Sequence, residues 1–186
     1  AGRISSDSST ARTIANAFNL SGALTLGDAV NTGTLTLSGN AALSANTTLT
    51  VASAATISGI VSGAYTLTKD GAAELTLSGV NTFGGTTAVD GGMLTLSGGS
   101  ALINSMAVTV NAGGSLKLAS SEEIATLAGA GAVLLQGNTL TLGGTAATTY
   151  SGVMSGAGML VKNGASVFTV TGANTFSGGV NLIAGA

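Results

Sequence analysis

Seven carboxylates carry the acid–base potential of this sequence: Asp7, Asp28, Asp70, Glu74, Asp90, Glu122 and Glu123. Two carboxylates facing one another across a groove are what hydrolysis of a glycosidic bond requires. Asp70 and Asp90 stand 20 residues apart, a spacing that would stack them on neighbouring coils of a repetitive fold. Both precede glycine, however, in sequences where an aspartate bonds its own turn, and the turn role is the one expected of them. Glu122 and Glu123 are neighbours and would point to opposite sides of a strand, so they make a poor catalytic pair; a solvated loop is expected there. A calcium-binding nonapeptide repeat needs an aspartate once per coil after a glycine-rich run, and no such run occurs.

The cations Arg3, Arg12, Lys69, Lys117 and Lys162 are scattered along the chain. Five basic residues are too few to follow a phosphate backbone, so no nucleic-acid partner is expected. Lys69 and Lys162 each precede Asp-Gly or Asn-Gly and read as surface charges at turns. With no His and no Cys, the sequence lacks imidazole-based nucleophile activation, thiolate chemistry, disulfides and the usual zinc ligands. Neither a catalytic, a cofactor-binding nor a metal-binding residue is assigned, and the expectation is a protein that is not an enzyme and needs no cofactor.

Thr34/Thr36, Thr48/Thr50, Thr66/Thr68 and Thr139/Thr141 form Thr-x-Thr pairs. Their irregular intervals argue against an ice-matching array and for ordinary threonines on the outer side of strands. Asn81 and Asn174, each followed by Thr and Phe, recur at one point of a repeat. The expected role is an asparagine that stabilises a turn above a buried phenylalanine and joins a ladder along the fold.

Strands must position these residues. Leu24-Thr25-Leu26, Leu35-Thr36-Leu37, Leu49-Thr50-Val51, Leu75-Thr76-Leu77, Leu94-Thr95-Leu96, Leu116-Lys117-Leu118 and Leu140-Thr141-Leu142 share one alternation, apolar to one side and polar to the other. Gly, Asn, Asp and Ser clusters punctuate them, as in Asp70-Gly71, Asp90-Gly91-Gly92 and Ser97-Gly98-Gly99. A single helical turn at residues 120–124 is the one helix signal. Apolar residues make up 45% and charged residues 6%, which excludes the disordered class. No run reaches the ~18 apolar residues of a membrane-spanning helix, and no membrane insertion by this segment is expected.

A repeat selects among all-β folds. Residues 58–83 align with 151–176 at an offset of 93, with 14 identities in 26 positions and no gap. Apolar pairs within each unit recur at 8 residues (Leu67 to Leu75, Leu160 to Phe168) and at 19 (Leu75 to Leu94). Short steps suit successive faces of one coil, and steps near twenty suit the same face one coil on. The absence of Pro fits strands paired on both sides. The predicted fold is all-β, a β-solenoid of roughly eight or nine coils forming one segment over residues 1–186, read as part of a longer polypeptide.

The stretch LTLSGVNTFGGTTAVDGGMLTLSGGSAL (residues 75–102) resembles the autotransporter passenger-associated β-strand repeat, and VTGANTFSGGVNLIAGA (residues 170–186) is similar. Residues 5–39 and 124–144 also resemble segments of long proteins of this class. Phe83-Gly84-Gly85 is one residue shorter than Phe176-Ser177-Gly178-Gly179, so one turn should differ locally. The resemblance implies a right-handed parallel β-helix outside a Gram-negative cell, secreted or at its surface. It implies an extracellular scaffold or stalk, with other copies of the same chain as end-to-end or lateral partners, or an adhesin module that grips a cell-surface glycan or a partner cell.

Overall fold

In the computed structural model, which describes residues 2–104 and 106–185, no helix forms and every pairing between strands is parallel. The chain winds as a parallel β-solenoid of about nine turns, with three strand-bearing faces per coil. On the first face Gly2–Ile4 pairs with the second half of Phe18–Leu26. The ladder then passes through Ala41–Val51, Leu67–Asp70, Thr87–Val89, Ala107–Val110, Thr126–Gly129 and Thr148–Tyr150 to Phe168–Val170. The second face runs from Arg12–Ile14 to Val153–Ser155 without a break. The third face is carried by residues 18–20, 41–43 and Val61–Ser62, is interrupted, and resumes at Glu122–Ile124.

The alternation in the sequence explains the core. On the second face Leu35, Ala55, Leu75, Leu94, Leu116, Val133 and Met154 lie in register and are all buried. Each fully buried Leu or Val contributes about 1.5–3 kcal/mol by leaving water. Between the two inward positions, Thr13, Thr36, Thr56, Thr76 and Thr95 form an outward column that continues into Lys117. The step of 19 from Leu75 to Leu94 is thus one coil on the same face, as predicted. The step of 8 from Leu67 to Leu75 crosses from the first face to the second.

Residues 120–124 are not helical: Glu122–Ile124 is a strand of the third face, because Ile124 follows the inward parity of its coil. At the corners, coils approach so closely that a side chain has no room. A Cβ on Gly59 would lie 2.0 Å from the Gly39 carbonyl oxygen, and one on Gly79 would lie 2.3 Å from that of Gly59.

Candidate functional site

Polar chemistry collects at the corners, where the chain leaves one face for the next and backbone groups turn out of the ladders. A buried carbonyl or N–H without a partner costs about 1–3 kcal/mol, so each corner needs a donor or acceptor from elsewhere.

Lys69 supplies one. It is fully buried in the inward column Leu24, Leu49, Lys69, Val89, Val110. Its Nζ donates to the carbonyls of Asp70 (3.0 Å), Gly71 (2.8 Å) and Gly91 (2.8 Å), two coils of the same corner. Burial drives its pKa down to about 8, against the pull of the Asp70 carboxylate. Lys162 is likewise buried and donates to the Gly164 carbonyl. Both lysines therefore correct the expectation of surface charges. Their place was legible in the parity, since Leu67 and Lys69, like Leu160 and Lys162, occupy the same side of a strand. Tyr150 does the same work in the column of Lys69: its hydroxyl donates to the Gly131 carbonyl at 2.6 Å, and burial pushes its pKa up to about 12. Gly129, one coil below in that column, has no side chain to occupy the interior.

Asn81 joins three coils. Its Oδ1 accepts from the Val61 amide (2.7 Å) and its Nδ2 donates to the Ala101 carbonyl (2.8 Å). Phe83 beneath it is fully buried. Asn174 repeats half of this, accepting from the Met154 amide at 2.7 Å, but its Nδ2 returns to Gly172 of its own coil. The expected turn-stabilising asparagine over a phenylalanine is what the structure holds at residue 81.

Glu122 corrects the expectation of a solvated loop. It is buried, and its carboxylate accepts from the amides of Leu102 (2.8 Å) and Ala101 (3.3 Å). Burial raises its pKa, and the two amides oppose that rise. Glu123 points outward to the Asn104 side chain at 3.1 Å.

Asp70 and Asp90 directly follow the paired residues Lys69 and Val89 on consecutive coils, as their spacing suggested. They lie on an outer corner, and Asp90 is occupied by the Asn111 side-chain amide at 2.7 Å. Two ion pairs, Arg3–Asp28 (2.9 Å) and Arg12–Asp7 (2.8 Å), tie the first coils. No group of three or more His, Cys, Asp or Glu gathers among the described residues.

The equivalent residues of the two repeat copies occupy different corners. Gly59 and Asn81 lie between the second and third faces, while Gly152 and Asn174 lie between the first and second. Lys69 closes the first face and Lys162 the third.

Fold and corners together define a class, a repeat-built parallel β-solenoid whose polar side chains serve its own turns. Residues 67–96 and 160–186 match the model of the Passenger-associated-transport-repeat family. A stretch of 143 residues, 72% of the chain, is 42% identical to the Adhesin BmaC autotransporter of Brucella suis biovar 1 (strain 1330), and spans 4% of that protein's length. No solved structure matches the chain. The chain belongs to the autotransporter passenger-repeat family, which sits outside the cell, secreted or on the surface of Gram-negative bacteria.

Proposed function

We propose that this chain is a non-enzymatic rod segment of a longer surface adhesin, one that spaces and presents, and that associates with further copies of itself end to end. The observation that carries the reading is the unbroken second face, in which eight parallel strands from Arg12–Ile14 to Val153–Ser155 hold an apolar interior in register. A rod built this way is held straight by the unbroken ladder that ties each coil to its neighbours. Its polar side chains are engaged in corners rather than converging in a cleft, which favours a scaffold over a catalyst. The name of the related Brucella protein favours adhesion as the task of the whole polypeptide.

End-to-end association draws support from the outermost coils. Val170, Val180 and Leu182 are exposed at one end around half-buried Phe168 and Phe176. Ile4, Ile14, Phe18 and Leu24 line an apolar opening at the other. Strand edges beside such surfaces are templates for another parallel strand. The alternative partner is a cell-surface glycan or a partner cell, favoured by the uncharged threonine column of the second face. Light scattering over a concentration series, followed by electron microscopy, tests the proposal. Fibres with an axial repeat near 40 Å, nine coils at ~4.8 Å, are expected. Monodisperse short rods at high concentration would remove self-association and leave the glycan reading, to be checked on a glycan array.

A further inference from the structure

The third face is not continuous. Residues 82–84 and 102–104 occupy its fourth and fifth coils, and neither forms a strand, whereas the other two faces carry strands at the same height. Thr82 and Gly84 still donate downward to Val61 and Gly63. Upward, among the described residues, a single backbone bond from the Asn81 N–H to the Ser100 carbonyl (3.3 Å) reaches the next coil, and no ladder joins residues 82–84 to 102–104, nor 102–104 to Glu122–Ile124. Ala101 and Leu102 are nevertheless buried.

Side chains hold this stretch in place. Asn81 from the coil below donates to the Ala101 carbonyl. Glu122 from the coil above accepts both the Ala101 and the Leu102 amides. Asn104 reaches up to Glu123. The stretch is entered through Gly98 and Gly99, both at positive φ (91° and 77°), where only glycine turns freely. Where the first and second faces rest on continuous backbone ladders, this stretch rests on one backbone bond, from the Asn81 N–H to the Ser100 carbonyl (3.3 Å), on the side chains of Asn81, Glu122, the Asn104–Glu123 pair and Ser120, whose Oγ accepts from the Gly98 N–H at 3.0 Å, and on two apolar anchors.

From this juxtaposition we propose that residues 98–104 form a strap across the third face, pivoting at Gly98–Gly99 and latched by Asn81 and Glu122, that lifts as a unit while the rod stays wound. Local opening is drawn from segments with few ladder bonds, and the release of a strap does not require its neighbours to separate. Lifting opens a gap one coil deep in the wall, above Phe83 and below the strand Glu122–Ile124. The inference is independent of the adhesive or self-associating task of the chain.

Amide hydrogen exchange of the purified chain, read at single residues, tests it. The Ala101 and Leu102 amides are expected to exchange at least about tenfold faster than those of Leu94 and Leu116 on the second face, and their rates should barely respond to low denaturant, the mark of a local opening. Glu122→Gln removes one of the two acceptors. It should speed the same two amides by a further tenfold or so, and leave Leu35 and Leu142 unchanged. Equal protection of all three faces in the unmodified chain overturns the strap. So does a Glu122→Gln chain whose exchange rises uniformly, because the latch would then support the whole rod. Should that variant fail to fold, the unmodified chain alone decides, through the ratio of Leu102 to Leu116 exchange.

Discussion

Residues 58–83 and 151–176 share a sequence and do not share a place. Each copy runs through the same order of glycine corner, strand, buried lysine, strand and Asn-Thr-Phe, yet the second copy begins one face earlier in the winding order. The offset explains this. Coils are close to 20 residues long, as in the pairings Thr47 with Leu67 and Leu67 with Thr87. An offset of 93 residues is therefore about four and two-thirds coils, and the second copy is turned two faces onward around the axis, which brings it to the face before the one where the first copy began. The motif specifies a corner and the strands flanking it, not a particular wall of the prism. A three-faced solenoid with nearly equivalent faces accepts the same instruction on any of them. A partner that recognised the outer surface of both copies would have to reach around the rod.

Burial separates the two copies most. Phe83 is fully enclosed, whereas Phe176 is half-buried in the outermost coil. Phe83→Ala is expected to destabilise by about 3–5 kcal/mol, through lost transfer energy and a cavity. Phe176→Ala should cost less than half of that. Urea unfolding of the two variants measures both. Equal losses would show that the corner works by its local backbone geometry, and that enclosure adds nothing.

The same contrast shows what could be read from the residues alone. The strands and the outward threonines followed from alternation, because a strand with one apolar side has a single sensible orientation, the step near twenty followed from the recurrence of the apolar pairs, and the parallel winding was implied by the family resemblance. The repeat was equally plain. The polar corners were less legible. Lys69 and Glu122 obey the inward parity of Leu67 and Ile124, but charge argues for water, and only the arrangement of carbonyls and amides around them makes burial tolerable. Parity was the better guide in both cases. The break in the third face shows in the sequence only as a lapse of alternation, since Ala101 and Leu102 are adjacent and both buried, and their backbone groups bond to the side chains of Asn81 and Glu122. Nor does a linear offset announce that two copies will face different ways, because that depends on coil length.

The two asparagines sharpen the comparison at a smaller scale. Asn81 links the coil below to the coil above, while Asn174 accepts from below and donates within its own coil. Asn81→Ala strands a buried amide and a buried carbonyl on separate coils and should cost about 2–4 kcal/mol. Asn174→Ala, in a half-exposed corner where water replaces the lost partners, should cost about 1 kcal/mol or less. The double variant should be additive, since the sites lie on different corners and far apart along the axis. Strong non-additivity in thermal unfolding would mean that the copies fold as one cooperative element.

The last contrast is a pH dependence centred on one lysine. Lys69 has a pKa of about 8 in the fold and 10.5 as its ordinary value, so the unfolded chain binds more protons between those limits. Stability then rises with pH across that window and is flat below about 8, where both states are protonated. Tyr150 opposes this from above. Its ordinary pKa of 10 is raised to about 12, so the unfolded chain loses the phenolic proton first and stability falls beyond pH 10. The two windows overlap only above pH 10, which leaves pH 8–10 to report Lys69. The urea midpoint should climb between pH 8 and 10 and turn over above it. Lys69→Met should lower the midpoint at every pH, because three corner carbonyls lose their donor, and should flatten the climb. A climb that survives the substitution would place its origin elsewhere and would mean that the corner holds Lys69 with its ordinary affinity for the proton.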